Sequence, residues 1–277
     1  MQSSHVSMQL PSDTLHRSRV LYLIRHGQAV HNVREKEAME KARNECIANE
    51  IPKVETEKIV DKARQSVLHD TSLFDAELTD LGREQAHATG EILRKIIDDD
   101  ENHGHIPKPT EAMVSPLSRC LETAGIVLKH INVEDDDHFT RALIVPDLCE
   151  RKTLYPPDTY KSVKSLLRYS NDKFGSTNAF TVDEESLRDR YMEDSQCVEI
   201  ETKTMLRERA SKLFDLIINT KSDTHILFVS HKGYLREFER GLLGIADSPL
   251  FDNAELRVYH VTFTRGDRVL DSVERMY

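Results

Sequence analysis

Residues 20–33 read VLYLIRHGQAVHNV, a short apolar run that ends abruptly at Arg25, His26 and Gly27. Residues 20–24 are continuously apolar and contain several strand formers, which predicts a strand buried on both faces of a sheet. In open α/β sheets, ligands bind beyond the carboxyl ends of the strands. Gly27 also lets the backbone turn sharply and approach a ligand closely. The sequence therefore places Arg25 and His26 where a ligand would bind.

Short apolar runs alternate with amphipathic helical segments along the rest of the chain. Further strands are predicted at residues 112–114, 142–145, 225–229 and 256–264. Helices are predicted to follow Thr79 and Ser115, both good N-caps, and to cover residues 206–217 and 235–242. This alternation predicts an α/β protein with a three-layer α/β/α sandwich around a mostly parallel sheet.

Two segments interrupt this alternation. Residues 34–72 are highly charged and helix-prone, and Pro52 breaks them into two parts, so they predict a helical insertion. Residues 155–200 form a second helical insertion, whose first part is weakly periodic and could cover an active site. We expect a disordered tail at residues 1–18 and one domain at residues 19–277.

Charge and composition exclude several function classes. The chain of 277 residues has 38 Lys and Arg against 48 Asp and Glu, a net charge of −10. This charge disfavours nucleic acids and anionic membranes as partners, so any anion site must be a local basic pocket. No segment approaches the roughly 18 apolar residues of a membrane-spanning helix. We expect a soluble protein in the cytoplasm, and the nucleus is not excluded.

The spacing of cysteine and histidine residues favours neither a disulfide framework nor a metal site. The four cysteines lack the paired short spacings of zinc ligands. The run His103-Gly104-His105 lies in a polar stretch without matching ligands, and residues 265–267 (RGD) are interpreted as a turn. We therefore expect reduced thiols and no metal or other cofactor.

The side chains that phosphate chemistry would need lie just beyond the predicted strands. They are Arg25, His26, Arg119, Glu150 and His231. Together with the run SPLSRC at residues 115–120 and the pair Ser230-His231, the Arg-His-Gly motif resembles the histidine phosphatase superfamily, the phosphoglycerate mutase-like proteins. Asn32, the run DAELTDLG at residues 75–82, residues 122–124 (ETA), and Glu201 leading to Arg207 lie in the family's usual order.

This resemblance implies a mechanism through phosphohistidine. His26 would be the nucleophile, because a neutral imidazole attacks phosphorus and divides the reaction into two easier steps. Arg25 and Arg119 would bind the phosphoryl oxygens through planar forks of N–H donors and lower the pKa of His26. His231 would donate a hydrogen bond to the transferring group. Glu150 matches the family's general acid, which protonates the leaving oxygen and then deprotonates water.

Several of these assignments have alternatives within the sequence. Glu150 could be replaced as the acid by Glu185 or Glu193. Asn32 could contact phosphate as its family counterpart does, or bond only to the backbone of the turn. His231 taken alone could be a buried core histidine. Its position at a strand end favours a functional role.

Two departures from the family pattern bear on the activity. Lys232 stands where the family usually has Gly; it would be strained at a positive φ, or it would add affinity for phosphate. Classical mutases carry adjacent arginines after the acid, and residues 151–168 contain no such pair.

The sequence also indicates few cationic groups beyond those that hold the phosphoryl group. A mutase must recognise a bisphosphorylated cofactor, so it needs more cations than a phosphatase does. We therefore expect hydrolysis of a small phosphorylated substrate, and the sequence identifies no protein partner. The alternatives are a phosphoglycerate mutase-type phosphotransferase and a catalytically silent phosphate-binding or scaffolding protein.

Overall fold

The computed structural model describes residues 16–98, 106–132, 141–174, 180–196, 199–219, 224–264 and 269–277. In these residues the strands are β1 (His16–Arg25), β2 (Glu111–Val114), β3 (Ala142–Ile144), β4 (Phe180–Val182), β5 (Ile226–Ser230), β6 (Leu256–Thr264) and β7 (Leu270–Arg275). The α-helices are α1 (Val30–Ala48), α2 (Lys53–Leu68), α3 (Asp80–Asp98), α4 (Ser118–Ile131), α5 (Val163–Phe174), α6 (Glu184–Gln196), α7 (Lys203–Ser211), α8 (Leu213–Asn219) and α9 (Lys232–Gly241).

A single sheet contains the described strands in the order β4-β3-β2-β5-β1-β6-β7. The first five strands in this order run parallel, whereas β6 is antiparallel to β1, and β7 is antiparallel to β6. Arg25 lies opposite Ser230, and Val114 lies opposite Val229. The carboxyl ends of β1, β5 and β2 are therefore level at one edge of the sheet.

The two faces of β1 are buried against different sets of helices. Val20, Tyr22 and Ile24 pack in a core with residues of α3, α4, α5 and α6. Leu21 and Leu23 pack on the other face with residues of α7, α8 and α9. Successive strand residues point to opposite faces, so β1 contributes to both cores. This arrangement confirms the predicted three-layer α/β/α sandwich around a mostly parallel sheet.

Three boundaries differ from those predicted. β1 begins at His16, so residues 16–18 belong to the sheet rather than to a tail. In the first insertion, α1 begins at Val30, ahead of the expected start, and packs against α2, which follows Pro52. The second insertion is not purely helical, because β4 pairs in parallel with β3 and extends the sheet at its edge.

The start of α4 depends on a residue that is distant in sequence. The sequence predicts Ser115 as the N-cap, but the helix begins at Ser118. Asp75 Oδ1 accepts a hydrogen bond from the Ser118 backbone N–H at 2.7 Å, and its Oδ2 accepts one from Ser118 Oγ at 2.8 Å. Lys161 Nζ is 2.6 Å from the same carboxylate. Asp75 therefore caps the helix that carries Arg119.

Replacing Asp75 is expected to destabilise the protein strongly. In Asp75→Asn the buried carboxylate that binds Lys161 and accepts from Ser118 becomes a neutral amide. The loss of these charge-assisted hydrogen bonds should lower the free energy of unfolding by about 1.5–3 kcal/mol. The measurement is equilibrium unfolding in denaturant. Asp80→Asn is the matched control, because Asp80 is exposed and pairs with Arg83 at the surface, so it should change stability little. Equal losses in the two variants would contradict this role for Asp75.

Two other expectations concern cysteines and membranes. Cys46, Cys120 and Cys149 are buried thiols. Cys197, the histidines at residues 103–105 and the tripeptide at residues 265–267 lie outside the described residues. Within the described ranges, no helix has both the length and the apolar composition needed to cross a bilayer.

Candidate active site

A cavity of about 370 Å³ opens at the edge where β1, β2 and β5 end. Arg25, His26, Asn32, Arg119 and Glu150 all contribute to its wall. Five of the six site residues predicted from the sequence are thus brought together from separate segments of the chain. Because parallel strands end at the same edge, residues that are distant in sequence meet there.

His26 is held in one tautomer by the loop that follows it. Its Nδ1 is 2.7 Å from the carbonyl oxygen of Gly27, and a carbonyl only accepts, so Nδ1 carries the hydrogen. Nε2 of the neutral ring therefore keeps its lone pair. Burial, followed by the positive charges of Arg119 and Arg25, lowers the pKa of His26 well below its usual value. The geometry and the electrostatics both favour a neutral imidazole with a nucleophilic Nε2.

The loop around His26 is fixed by a close approach of two backbones. A β-carbon on Gly27 would overlap the carbonyl of Gly82, and one on Gly82 would overlap the carbonyl of Gln28. Only glycine at both positions permits this packing of the loop on the first turn of α3. The Gly27 N–H also donates to Thr123 Oγ1 at 3.1 Å, which ties the loop to α4. His26 is therefore positioned by rigid elements.

The two predicted arginines are buried in the cavity wall and are each anchored at one end. Arg25 Nη1 donates to the carbonyl of Phe251 at 2.9 Å. Arg119 Nη1 donates to the carbonyl of Pro157 at 2.6 Å, and its Nη2 lies 3.1 Å from Asp158 Oδ1. The Nε atoms of both arginines are buried and have no hydrogen-bond partner in the described part of the chain. The first part of the second insertion thus holds Arg119 in place.

Asn32 supports its neighbour His31, which the sequence analysis missed. Asn32 Oδ1 accepts from the Ala29 N–H at 3.1 Å, so the other amide atom, Nδ2, is the donor to His31 Nε2 at 2.9 Å. His31 Nε2 must then accept, and Nδ1 of the neutral ring carries the hydrogen. That Nδ1 is buried without a partner among the described residues. Asn32 therefore bonds to the backbone of the turn, which is one of the two roles considered from the sequence. It also lines the cavity.

His31 belongs to the same cavity as His26. It lines the wall, and its ring centroid is 6.4 Å from that of His26. Burial, with the charges of Arg119 and Arg25, lowers the pKa of His31 well below its usual value. Its place in the first turn of α1, directly before Asn32, is the signal from which it could have been identified.

His231 contacts the His26 ring and is completely buried. The two ring centroids are 5.1 Å apart. His231 Nε2 lies 2.8 Å from Ser115 Oγ, so Ser115 orients this ring instead of capping α4. Burial, Arg119 and His26 lower the pKa of His231 well below its usual value. Unlike the other five predicted residues, His231 is not among the described side chains that form the cavity wall.

Glu150 is bound to backbone N–H groups at the mouth of the cavity. Its Oε1 accepts from Arg151 N at 2.9 Å, and its Oε2 accepts from Gly233 N at 3.2 Å. A β-carbon on Gly233 would lie 2.5 Å from Oε1, so the carboxylate would have to shift. Burial and the charge of Asp158 raise the pKa of Glu150. A carboxyl group that can hold a proton therefore lies in the same cavity as His26.

The two alternative acids belong to one helix. Glu185 is exposed on α6, and Glu193 is on the same helix. The proposed strain at Lys232 is also absent, because this residue forms the first turn of α9 in helical geometry. Lys232 lines the cavity, where partial desolvation and the charge of Arg25 lower its pKa.

Comparison with known proteins places the chain in a family. The family profile described as "Histidine phosphatase superfamily (branch 1)" matches residues 69–150 and 176–275. The chain belongs to the histidine phosphatase superfamily. The matched residues include Arg119, Glu150 and His231, whereas residues 20–33 lie outside the match. No curated protein matches the sequence significantly.

Solved structures share the fold of this superfamily member. The ecdysone phosphate phosphatase from Bombix mori, solved with tungstate, is 16% identical, with 92% of this chain and 95% of that chain covered and a TM-score of 0.54. A protein titled "Mycobacterial hydrolase 2" is 18% identical over 94% of this chain and 89% of that chain, with a TM-score of 0.50. At these identities the likeness shows the fold alone.

One prediction about the site is wrong. The sequence indicated few cationic groups beyond Arg25 and Arg119, but seven Lys and Arg residues and four Asp and Glu residues line the cavity. The additional cations are Arg64, Arg151, Lys203, Lys232 and Arg236. They come from α2, from the loop after Glu150, and from α7 and α9, so their convergence depends on tertiary structure.

Proposed function

We propose that this protein is a phosphatase that hydrolyses phosphomonoesters through a phosphohistidine at His26. The observation that carries this proposal is a set of three buried N–H groups in the cavity wall around His26. They belong to Arg25 Nε, His31 Nδ1 and Arg119 Nε, and none has a partner among the described residues. A buried donor without a partner costs about 1–3 kcal/mol. The oxygens of a phosphoryl group would accept these hydrogen bonds.

In the first step, the lone pair of His26 Nε2 attacks phosphorus. The bond between phosphorus and the ester oxygen breaks, and the leaving oxygen takes a proton from Glu150. The raised pKa of Glu150 favours the protonated carboxyl that this role requires. Arg25 and Arg119 stabilise the charge on the phosphoryl oxygens. The Gly27 carbonyl, which accepts the hydrogen bond from His26 Nδ1–H, stabilises the positive charge that develops on the ring.

In the second step, water attacks the phosphorus of phosphohistidine. Glu150, now ionised, accepts a proton from this water while the bond between phosphorus and Nε2 breaks. Inorganic phosphate leaves, and both His26 and Glu150 return to their starting protonation states. In this scheme His231 positions the nucleophile, because its ring contacts the ring of His26 and is itself oriented by Ser115.

A phosphoglycerate mutase-type phosphotransferase is the second candidate. The five additional cations of the cavity favour it, because a bisphosphorylated intermediate needs more positive charge than a monoester does. The absence of adjacent arginines at residues 151–168 favours hydrolysis. The two reactions share the phosphohistidine and differ in the acceptor, which is water for the phosphatase and a second hydroxyl for the mutase.

A phosphate-release assay over a panel of phosphomonoesters tests the proposed function. We expect release of inorganic phosphate by the unmodified protein, none by His26→Ala, and unchanged turnover after treatment with a chelator. Stimulation by bisphosphoglycerate with little net phosphate release would instead support the mutase. Absence of both activities would support a silent phosphate-binding protein, and loss of turnover on chelation would contradict the mechanism.

His31 is expected to contribute a hydrogen bond to the phosphoryl group. His31→Phe keeps a ring of similar size but removes the donor, and we expect about 100- to 1,000-fold lower kcat/KM, by comparison with the loss of single oxyanion donors. His31→Asn places an amide N–H near the position of Nδ1 and should recover part of the activity. Inhibition by orthovanadate, a phosphoryl mimic, should weaken more in His31→Phe than in His31→Asn. Equal losses in the two variants would indicate a packing role.

A further inference from the structure

The cavity contains positive charge that its own carboxylates do not neutralise. Three of its four carboxylates already have cationic partners: Asp158 with Arg119 at 3.1 Å, Glu35 with Arg64 at 2.9 Å, and Glu237 with Arg207 at 2.7 Å. The fourth, Glu150, accepts backbone N–H groups and has a raised pKa. Among the described residues, no carboxylate forms an ion pair with Arg151, Lys203, Lys232 or Arg236.

Two of these cations stand where isolated helices disfavour positive charge. Lys203 begins α7 and Lys232 begins α9, and neither helix has an acidic residue in its first turn. The amino end of a helix carries partial positive charge, so a lysine there is unfavourable. Lys232 and Arg236 are also four residues apart on α9 and both line the cavity, where like charges repel. Such departures from local preference are typical of functional sites.

A bound anion would remove all of these unfavourable interactions together. The phosphoryl group at His26 would use Arg25, His31 and Arg119, so it leaves the other cations free. We propose that Arg151, Lys203, Lys232 and Arg236 bind a second anionic group, a phosphate or a carboxylate, on the same substrate molecule. This inference rests on the proposed function for the position of the first phosphoryl group.

The substrate class is therefore a small phosphomonoester with a second negative group. A cavity of about 370 Å³ suits a small molecule. The net charge of −10 on the whole chain makes a polyanionic macromolecule an unsuitable partner. The chain lacks adjacent arginines after Glu150, and the charge for the second group is supplied by Arg151 together with residues of α7 and α9.

Binding of three matched phosphonates tests this inference without turnover. Propylphosphonate carries one anionic group, carboxyethylphosphonate adds a carboxylate, and propylene bisphosphonate adds a second phosphonate. Calorimetric titration of the unmodified protein should show that at least one of the ligands with two anionic groups binds about 10-fold more tightly than propylphosphonate. This is the effect of one added charge-assisted hydrogen bond. The tighter ligand identifies the second group. Equal affinities for all three would overturn the proposal.

Two double variants show whether the preference arises from these cations. In Lys203→Gln with Lys232→Gln, we expect the affinity ratio between ligands with two anionic groups and the ligand with one to fall about 10-fold. The ratio of kcat/KM values between phosphomonoesters with and without a second anionic group should also fall, mainly through KM. Lys58→Gln with Lys164→Gln removes two exposed lysines on α2 and α5 and should keep both ratios. An unchanged ratio in the first variant would overturn the proposal. Failure of the protein to release phosphate would contradict the proposed function but leave the binding result intact.

Discussion

His26→Ala is expected to lower kcat/KM for every phosphomonoester by at least about 10,000-fold, the scale of removing a covalent nucleophile. No other described side chain is positioned like His26, with one ring nitrogen bonded to a carbonyl and the other free beside two buried arginines. The measurement is steady-state phosphate release. Unfolding in denaturant should show that the variant remains folded.

His87→Ala is the matched control for this loss. His87 is exposed on α3, and its ring contacts His130; neither residue lines the cavity. We expect this variant to keep full activity. Activity of His26→Ala within 10-fold of the unmodified protein would mean that another group attacks phosphorus.

Glu150→Gln is expected to give the second largest loss, and the loss should depend on the leaving group. For alkyl phosphates, whose leaving oxygen must be protonated, kcat/KM should fall about 100- to 10,000-fold. For nitrophenyl phosphate, whose leaving group departs without a proton, the first step should be much less affected. Similar losses on both substrates would contradict the assignment of Glu150 as general acid.

The pH dependence should identify the same group. Burial raises the pKa of Glu150, so kcat/KM for alkyl phosphates should decline on the alkaline side as the carboxyl loses its proton. Burial and Arg119 lower the pKa of His26, so the acidic decline from protonation of this ring should come well below the usual histidine range. Glu150→Gln should abolish the alkaline decline and keep the acidic one. Gly233→Ala should shift the alkaline decline, because the added methyl group presses on the carboxylate.

The central strands could be predicted from the sequence because their local pattern agrees with their environment. Residues 20–24 are apolar without alternation, and both faces of β1 are buried. The alternating run at residues 256–264 matches β6. The edge strands β4 and β7 were missed because they are short or mostly exposed, so they lack an apolar pattern. Their positions depend on pairing with β3 and β6.

Helical periodicity predicted the existence of helices better than the faces that they bury. In α2 the apolar residues Ile59 and Val67 are only partly buried, whereas Val60 and Leu68 are buried. In α3, Leu81 lies in the first turn and is 49% exposed, although it is apolar. A highly charged helix has few apolar residues, so its sequence does not identify the buried face. The element that packs against the helix determines which face is buried.

Only the site residues that lie at strand ends or in short motifs could be predicted from the sequence. Arg25, His26, Arg119 and Glu150 were identified because each lies after a strand or in a motif beside one. The donor at His31 depends on how Asn32 orients, and the roles of Ser115 and Asp75 depend on which helix approaches them. The cations of the second group come from the loop after Glu150, from α7 and from α9, so no local pattern contains them all.

The most direct test of the account is to trap the covalent intermediate. Glu150→Gln, mixed with nitrophenyl phosphate, should form phosphohistidine quickly and hydrolyse it slowly, because water lacks its base. Rapid quenching at alkaline pH and peptide mapping should show an acid-labile phosphoryl group on His26, attached at Nε2 because Nδ1 donates to Gly27. Phosphate release without any acid-labile label, or a label on another residue, would contradict the central claim.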